Sequence, residues 1–175
     1  MSKTRILIAD DHMLMRMGIA ALFADTTDME IVGEAKNGRV AVELAEKLKP
    51  DVIIMDLMMP ELSGSDAAKL IHDALPEIKI VILTTFGTST DLAKAVANGA
   101  VGVLLKDKVE MDLVSTIRLI VDGNRIIPSK LLEQIERDNA LAALSDRQLE
   151  ILSSVARGQS NADIAKLQGV SMPMV

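Results

Sequence analysis

The sequence predicts an α/β protein: a doubly wound, five-stranded parallel sheet followed by a small all-α helix-turn-helix segment. Three observations carry this expectation. Short apolar runs without polar alternation recur along the first part of the chain, as expected of strands buried on both faces. Segments with helical spacing separate them, so strands and helices alternate. Four of the runs stop at Asp10, Asp56, Thr84 and Lys106, residues able to do chemistry at the carboxyl edge of such a sheet.

The central run is Val52 to Met55, led by Pro50 and Asp51 and stopped by Asp56. Taken in order, Ile6-Leu7-Ile8-Ala9 is the first strand, ended by Asp10-Asp11. Leu14, Met17, Gly18, Ala21 and Leu22 recur at helical spacing and predict a helix to about Ala24. Met29 to Ala35 reads as the second strand. Asn37-Gly38 then opens a helix through Val42, Leu44, Ala45 and Leu48, stopped at Lys49-Pro50. After the central strand, Pro60 to Gly64 is a loop, and Ala67, Leu70, Ile71 and Ala74 mark the third helix, closed by Pro76. Ile80 to Leu83 is the fourth strand, ending at Thr84-Thr85. Leu92, Ala93, Val96 and Ala97 mark a short helix, stopped by Asn98-Gly99 with glycine in the left-handed capping position. Val101 to Leu105 leads to Lys106. Leu113, Ile117, Ile120 and Val121 define the fifth helix, closed by Asp122-Gly123-Asn124. One helix after each strand, with right-handed crossovers, fits the flavodoxin-like order 2-1-3-4-5. Asp10, Asp11 and Asp56 then converge at the crevice beside strands 1 and 3.

Composition narrows the classes. With 49% apolar and 25% charged residues among 175, the chain can bury a core and is not compositionally disordered. It has no cysteine, which excludes disulfides, thiolate metal sites and a Cys nucleophile. No apolar run is long enough to span a bilayer, and the start runs into a strand without a signal-peptide pattern, so a cytoplasmic protein that makes no use of the membrane is expected. The net charge is −6, and the excess acid lies before Pro128, with 14 Lys and Arg against 19 Asp and Glu. From Leu144 onward the balance is 3 against 3, so no basic nucleic-acid footprint shows in the composition.

Three carboxylates, a hydroxyl and a lysine thus stand at the ends of four strands. Clustered carboxylates repel one another unless a cation lies among them, and hard oxygen ligands suit Mg²⁺. A carboxylate beside such an ion can attack a phosphoryl group and form an aspartyl phosphate. Lysine and hydroxyl are then placed to pair with the phosphoryl oxygens. Singly, each residue has an ordinary structural account: Asp10-Asp11 as helix caps, Thr84 as a strand end, Lys106 as a solvated terminus. Their joint placement favours the phosphoacceptor. His12 and His72 read as surface or helix-start residues without a catalytic role.

Asp10-Asp11, Asp56 with Met59-Pro60 and Gly64 behind it, Thr84 and Lys106 resemble the receiver domain of two-component response regulators, over roughly the first 125 residues. The resemblance implies that Asp56 accepts phosphate from a histidine kinase. It also implies that Asp11, Asp56 and the backbone carbonyl of Met58 bind Mg²⁺, with Asp10 acting directly or through water. Thr84 would be the switch hydroxyl and Lys106 the phosphate-pairing cation. An aromatic residue is usual three positions before the lysine, and here that position is Val103. Met58 and Phe86 flank the expected phosphate with apolar bulk that slows attack by water.

From Leu144, the residues Arg147, Glu150, Gly158, Ser160-Asn161, Ile164-Ala165 and Val170-Ser171 are similar to the LuxR-type helix-turn-helix of the NarL/FixJ subfamily. Ser145 with Gln148 forms a capping-box pattern at its first helix. The match covers the first half of that module, since its recognition helix would begin at Ser171 and the chain stops at Val175. The expected organisation is a receiver over 1–125, a linker helix over 126–143 and a partial DNA-binding domain over 144–175. The resemblance implies a non-enzymatic transcriptional response regulator that dimerises on phosphorylation and binds DNA in its full-length form. The alternative is a phospho-dependent interaction module that acts without DNA. A haloacid-dehalogenase-like phosphatase needs an acid where Met58 stands. A flavin carrier needs aromatic rings, which at 1% of residues are nearly absent.

Overall fold

The buried strands set the architecture. In the computed structural model, which describes residues 3–85, 89–106, 109–133 and 137, five strands and five helices alternate along the described chain. They are β1 (Thr4–Ala9), α1 (Met13–Ala24), β2 (Met29–Ala35), α2 (Gly38–Leu48), β3 (Val52–Asp56), α3 (Gly64–Ala74), β4 (Lys79–Thr84), α4 (Ser89–Ala97), β5 (Ala100–Leu105) and α5 (Val109–Val121). The strands pair in parallel in the order β2-β1-β3-β4-β5, as expected. Every residue of β3 is buried, which explains why its sequence shows no polar alternation. Phe86 and residues 144–175 lie outside the described residues, as does half of the expected linker helix.

Side chains alternate across the strands and divide the core into two layers. Ile6 and Ile8, Val52 and Ile54, and Val81 and Leu83 pack with Ile19 and Phe23 of α1 and with Leu113, Ile117 and Ile120 of α5. On the opposite face, Gly33 of β2 lies against Leu7, Leu44 and Leu48, which seats α2 on the sheet. Ala41, Ala45, Ala67, Ala68 and Ile71 are buried on α2 and α3, where small residues allow close packing. The α5 face matches the expected Leu113, Ile117 and Ile120. The α1 face does not: Ile19 and Phe23 are buried, whereas Leu14 and Met17 are 82% and 55% exposed. The segment from Met13 to Ala24 is apolar almost all round, so several stripes satisfy the helical period and only packing selects one. On α3, Leu70 likewise points outward while Ala68 is buried.

Helix ends follow local chemistry. Asn37 caps α2 by accepting from Val40 N at 2.8 Å, and Ser63 caps α3 by accepting from Asp66 N at 3.1 Å. Arg5 Nη1 donates to the carbonyls of Leu48 and Lys49, satisfying the end of α2. Gly99 closes α4 at φ 101°. Beyond α5, Ile126 bonds to the outer edge of β5: its N–H donates to Val101 O and its carbonyl accepts from Val103 N. The chain divides into the units Met1–Leu132 and Glu133–Val175. Among the described residues, no helix is long and apolar enough to cross a membrane.

The glycines separate tolerance from constraint. A Cβ on Gly64 would overlap the backbone carbonyl of Asp56, whereas at Gly18 in α1 nothing lies within 4 Å. Gly64→Ala should therefore destabilise the fold by about 3 kcal/mol. Gly18→Ala should stabilise it by about 0.5–1 kcal/mol through helix propensity. Urea denaturation midpoints of the two variants check the contrast.

Candidate functional site

The carboxyl edges of β1, β3 and β5 bring three charged groups into one cluster. Asp10 follows the last residue of β1, is 1% exposed, and donates its N–H to Ala35 O at 3.1 Å. Asp56 ends β3 and is 5% exposed. Lys106 follows β5 and extends back over the sheet, so that Nζ lies 2.6 Å from Asp10 Oδ2 and 2.7 Å from Asp56 Oδ2. The contact to Asp56 is a hydrogen bond. The contact to Asp10 is poorly aligned, which leaves Asp10 Oδ2 buried with charge compensation but no hydrogen bond.

Burial pushes the Asp56 carboxyl above its ordinary value of 3.8 and outweighs the opposing hydrogen bond and charge of Lys106, while the Asp10 charge adds to the rise. Burial by itself lowers the pKa of Lys106, but the two carboxylates overcome it and hold the ammonium above 10.5. Linkage follows from these directions. The raised carboxyl makes stability fall as pH rises from 3.8 through the folded value of Asp56. The contribution of Lys106 is complete below 10.5 and is lost as pH rises through its own raised value.

Neighbouring elements hold the acids in place. Arg16 on α1 donates from Nη1 to Asp10 O at 2.9 Å and from Nε to Glu34 Oε2 at 3.0 Å. The loop after β3 turns through Glu61 in the left-handed region, at φ 67°. Asn37 Nδ2 fixes this turn by donating to Glu61 Oε1 at 2.7 Å, and Gly64 N donates to Leu57 O at 2.9 Å. Within the loop, Met58 N lies 3.4 Å from Asp56 Oδ1, a long contact that leaves this oxygen more weakly held than Oδ2. A cavity of about 380 Å³ opens over Asp56 and Lys106, with Leu14, Met58 and Thr85 in its lining.

Asp10, Asp56 and Lys106 meet as the sequence suggests, and Asp11 joins them at the rim. Thr84 is buried at the end of β4, and it is the exposed Thr85 that lines the cavity. Val103, at the usual aromatic position, is buried in β5. His12 is an unexpected member. Its Nδ1 is 2.8 Å from Asp11 Oδ1 and 3.4 Å from Asp10 Oδ1. Asp10, Asp11, His12 and Asp56 each offer a ligand atom within 4.8 Å of the others. A set of three carboxylates with one buried, unbonded oxygen fits a divalent cation. The bonds of Arg16 to Glu34 and of Asn37 to Glu61 also escaped the sequence reading, because they join elements distant in sequence.

Comparison with known proteins agrees with this arrangement. The family model for the response regulator receiver domain matches residues 6–118. The chain belongs to the response regulator receiver family. Its relatives are LuxR/NarL-type response regulators that regulate transcription, and receiver domains in such regulators are generally not enzymes. YxjL, an uncharacterized transcriptional regulatory protein of Bacillus subtilis (strain 168), is 39% identical across 97% of this chain and 83% of its own length. A LuxR-family two-component response regulator from Aurantimonas sp. SI85-9A1 superposes with a TM-score of 0.70 at 29% identity, over 79% of this chain and 99% of that one. The RcsB response regulator of Salmonella typhimurium, solved in a study of its DNA interaction, gives 0.71 at 26% identity, over 98% and 85%.

The opposed influences on Asp56 make a signed prediction. Lys106→Met removes the lowering influences and should move the Asp56 titration further up. Asp10→Asn removes a raising one and should bring it down. Carboxyl-carbon NMR titrations in chelator-treated buffer measure both.

Proposed function

We propose that Asp56 is the phosphoacceptor of this receiver, fed by a histidine kinase, and that phosphorylation controls transcription. The observation that carries this reading is the single ammonium of Lys106 held between Asp10 and Asp56 at the sheet's carboxyl edge. Asp56 Oδ1, the less firmly held oxygen, attacks phosphorus. The P–N bond of the donor phosphohistidine breaks and the imidazole leaves with the electron pair. The Lys106 ammonium favours the carboxylate form of Asp56, so no base is needed, and positioning with charge neutralisation accounts for the acceleration. Lys106 follows the new charge and pairs with a phosphoryl oxygen. Thr84 is the switch hydroxyl that hydrogen-bonds another. Asp11, Asp56 and the Met58 carbonyl would hold Mg²⁺, with Asp10 directly or through water. When bound, that ion supplies further neutralisation of the phosphoryl oxygens.

The rim is suited to a protein donor. Leu14 on α1 and Met58 beside Asp56 line the opening and are more than half exposed, and Met13 and Met17 add exposed apolar surface on the same helix. The receiver occupies 1–125, the linker 126–143, and the similarity of 144–175 to a helix-turn-helix makes DNA the output partner of a full-length form. Homodimerisation on phosphorylation brings two such modules to one site. A cytoplasmic location and the absence of turnover beyond phosphoryl transfer belong to the same reading.

Intact mass after incubation with a small acyl phosphate tests the chemistry. A single phosphoryl adduct that needs Mg²⁺ and vanishes in Asp56→Asn is expected; an adduct that persists in the variant would refute the assignment. Met58→Asn opens the rim to water. It should hasten loss of that adduct by roughly fivefold to tenfold, about 1 kcal/mol of barrier, measured as the decay rate after the phosphodonor is removed.

A further inference from the structure

β5 is an outer strand in the order β2-β1-β3-β4-β5, so one row of its backbone groups faces away from β4. The chain returns to cover part of that row. Gly123 closes α5 at φ 94°, and Asn124 binds the carbonyl of Leu119 through both its N–H and its side-chain Nδ2. Thus reversed, the chain runs parallel to β5, and Ile126 pairs opposite Gly102. Ile126 N donates to Val101 O at 2.9 Å, and Val103 N donates to Ile126 O at 2.8 Å. Glycine at 102 lets Ile120 of α5 press against the same point, its Cδ1 2.7 Å from where a Cβ would lie. Farther on, the carbonyl of Pro128 accepts from Leu131 N and Leu132 N, and Leu131 is 6% exposed. Residues 124–132 thus form a strap anchored at both ends. They belong to the unit that ends at Leu132, and the chain passes from them into the second unit at Glu133.

We propose that this strap reports the state of Asp56 to the second unit: it is docked on β5 while Asp56 is unmodified and released on phosphorylation. The inference rests on the phosphoacceptor reading above, which makes Lys106 the group that follows the new charge. Lys106 continues β5 three residues beyond Val103, about 10 Å along one extended segment. Its Nζ is held 2.6 Å from Asp10 Oδ2 and 2.7 Å from Asp56 Oδ2. Pairing with a phosphoryl oxygen takes the ammonium from that position and shifts the end of β5. The two strap bonds are already at near-optimal length, so a shift of the strand in any direction weakens them. β4 pairs with β5 along the whole strand from Ile80 to Thr84, whereas among the described residues one bridge holds the strap. The strap therefore yields before the sheet does.

Pulse-labelling hydrogen exchange of the full chain, read by peptide mass, tests this before and after treatment with a small acyl phosphate and Mg²⁺. Intact mass of the same samples gives the extent of phosphorylation. In the phosphorylated chain, the amides of 124–132 should exchange about tenfold faster or more, while those of β3 change by less than about twofold. Ile126→Pro deletes the N–H that bonds Val101 O and releases the strap in advance. Because coupling is reciprocal, this variant should raise the phosphorylated fraction at limiting donor by about threefold. Should circular dichroism show the variant unfolded, exchange in the wild type decides alone. Unchanged exchange of 124–132 in a chain that carries the adduct would make the strap a passive seal of the sheet edge and overturn the inference. Equal acceleration of β3 would mark general loosening and overturn it as well, as would an unaltered phosphorylated fraction in folded Ile126→Pro. Absence of any adduct on the wild type would instead remove the phosphoacceptor reading, and the inference with it.

Discussion

The rest of the site depends on one buried ammonium serving two carboxylates. β3 and β5 are separated by β4, so the lysine spans two strand spacings, about 10 Å between backbones. Only a long, unbranched cation can reach that far with its stem packed and its charge delivered at the end. Two carboxylates in so dry a place repel each other, and here the lysine gives a well-aligned hydrogen bond to one of them and an ion pair to the other. The consequence is visible in the asymmetry of the cluster: Asp56 is hydrogen-bonded while Asp10 Oδ2 is not. Electrostatic compensation is partial by construction, and a site left in that condition has affinity for a further positive centre.

Such a cluster persists only if the backbone carrying it cannot relax. Arg16 ties the carbonyl of Asp10 to Glu34 on β2, so the acid's strand end is held from the opposite side of the helix start. Asn37 acts twice, capping α2 through its oxygen and bracing the loop behind Asp56 through its amide nitrogen. The same loop leads directly into α3, whose first turn is bonded to α4: Lys94 Nζ lies 2.8 Å from Asp66 Oδ1, and Asn98 Nδ2 donates to Ser65 O at 2.9 Å. Gly99 at the end of α4 rests on the His72 ring, where no Cβ fits. A displacement at Asp56 is therefore coupled through α3 to the C-terminal part of α4 by short, directional contacts and not by diffuse packing.

The sheet was legible because four of its strands are short apolar runs, and burial of β3 and β4 on both faces leaves no ambiguity of phase. Strand ends were legible for the same reason, and Asp10, Asp56 and Lys106 fell together once strand order was fixed. Helix faces were harder. A helix such as α1, apolar almost throughout, satisfies several stripes, and the position of α5 decides that Ile19 and Phe23 face inward. His12 was passed over because a histidine at a helix start has a sufficient local explanation. Its turn toward Asp11 depends on a backbone bond to Asp10 that spacing does not reveal. The sequence pointed to Thr84, which is buried, whereas Thr85 lines the cavity, because adjacent strand-end residues face opposite ways.

The apolar border gives the charged floor its chemical meaning. Carboxylate, ammonium and cation would be ordinary, weakly interacting ions in open water, where their mutual energies shrink by the dielectric constant. Leu14 and Met58 line the opening above Asp56, and β3 and β4 seal the floor with Met55 and Leu83 fully buried. Charge on the floor is therefore felt strongly, yet the opening admits a ligand. The same enclosure acts in opposite directions on the two halves of a phosphorylation cycle: it strengthens the attraction that assembles the transferred group and excludes the water that would remove it. On the proposed reading, a mouth lined with methionine and leucine in place of acids or amides would shift that balance toward a longer-lived phosphorylated state. Leu14 and Met58, 82% and 64% exposed, contribute little to the packed core and line the opening instead.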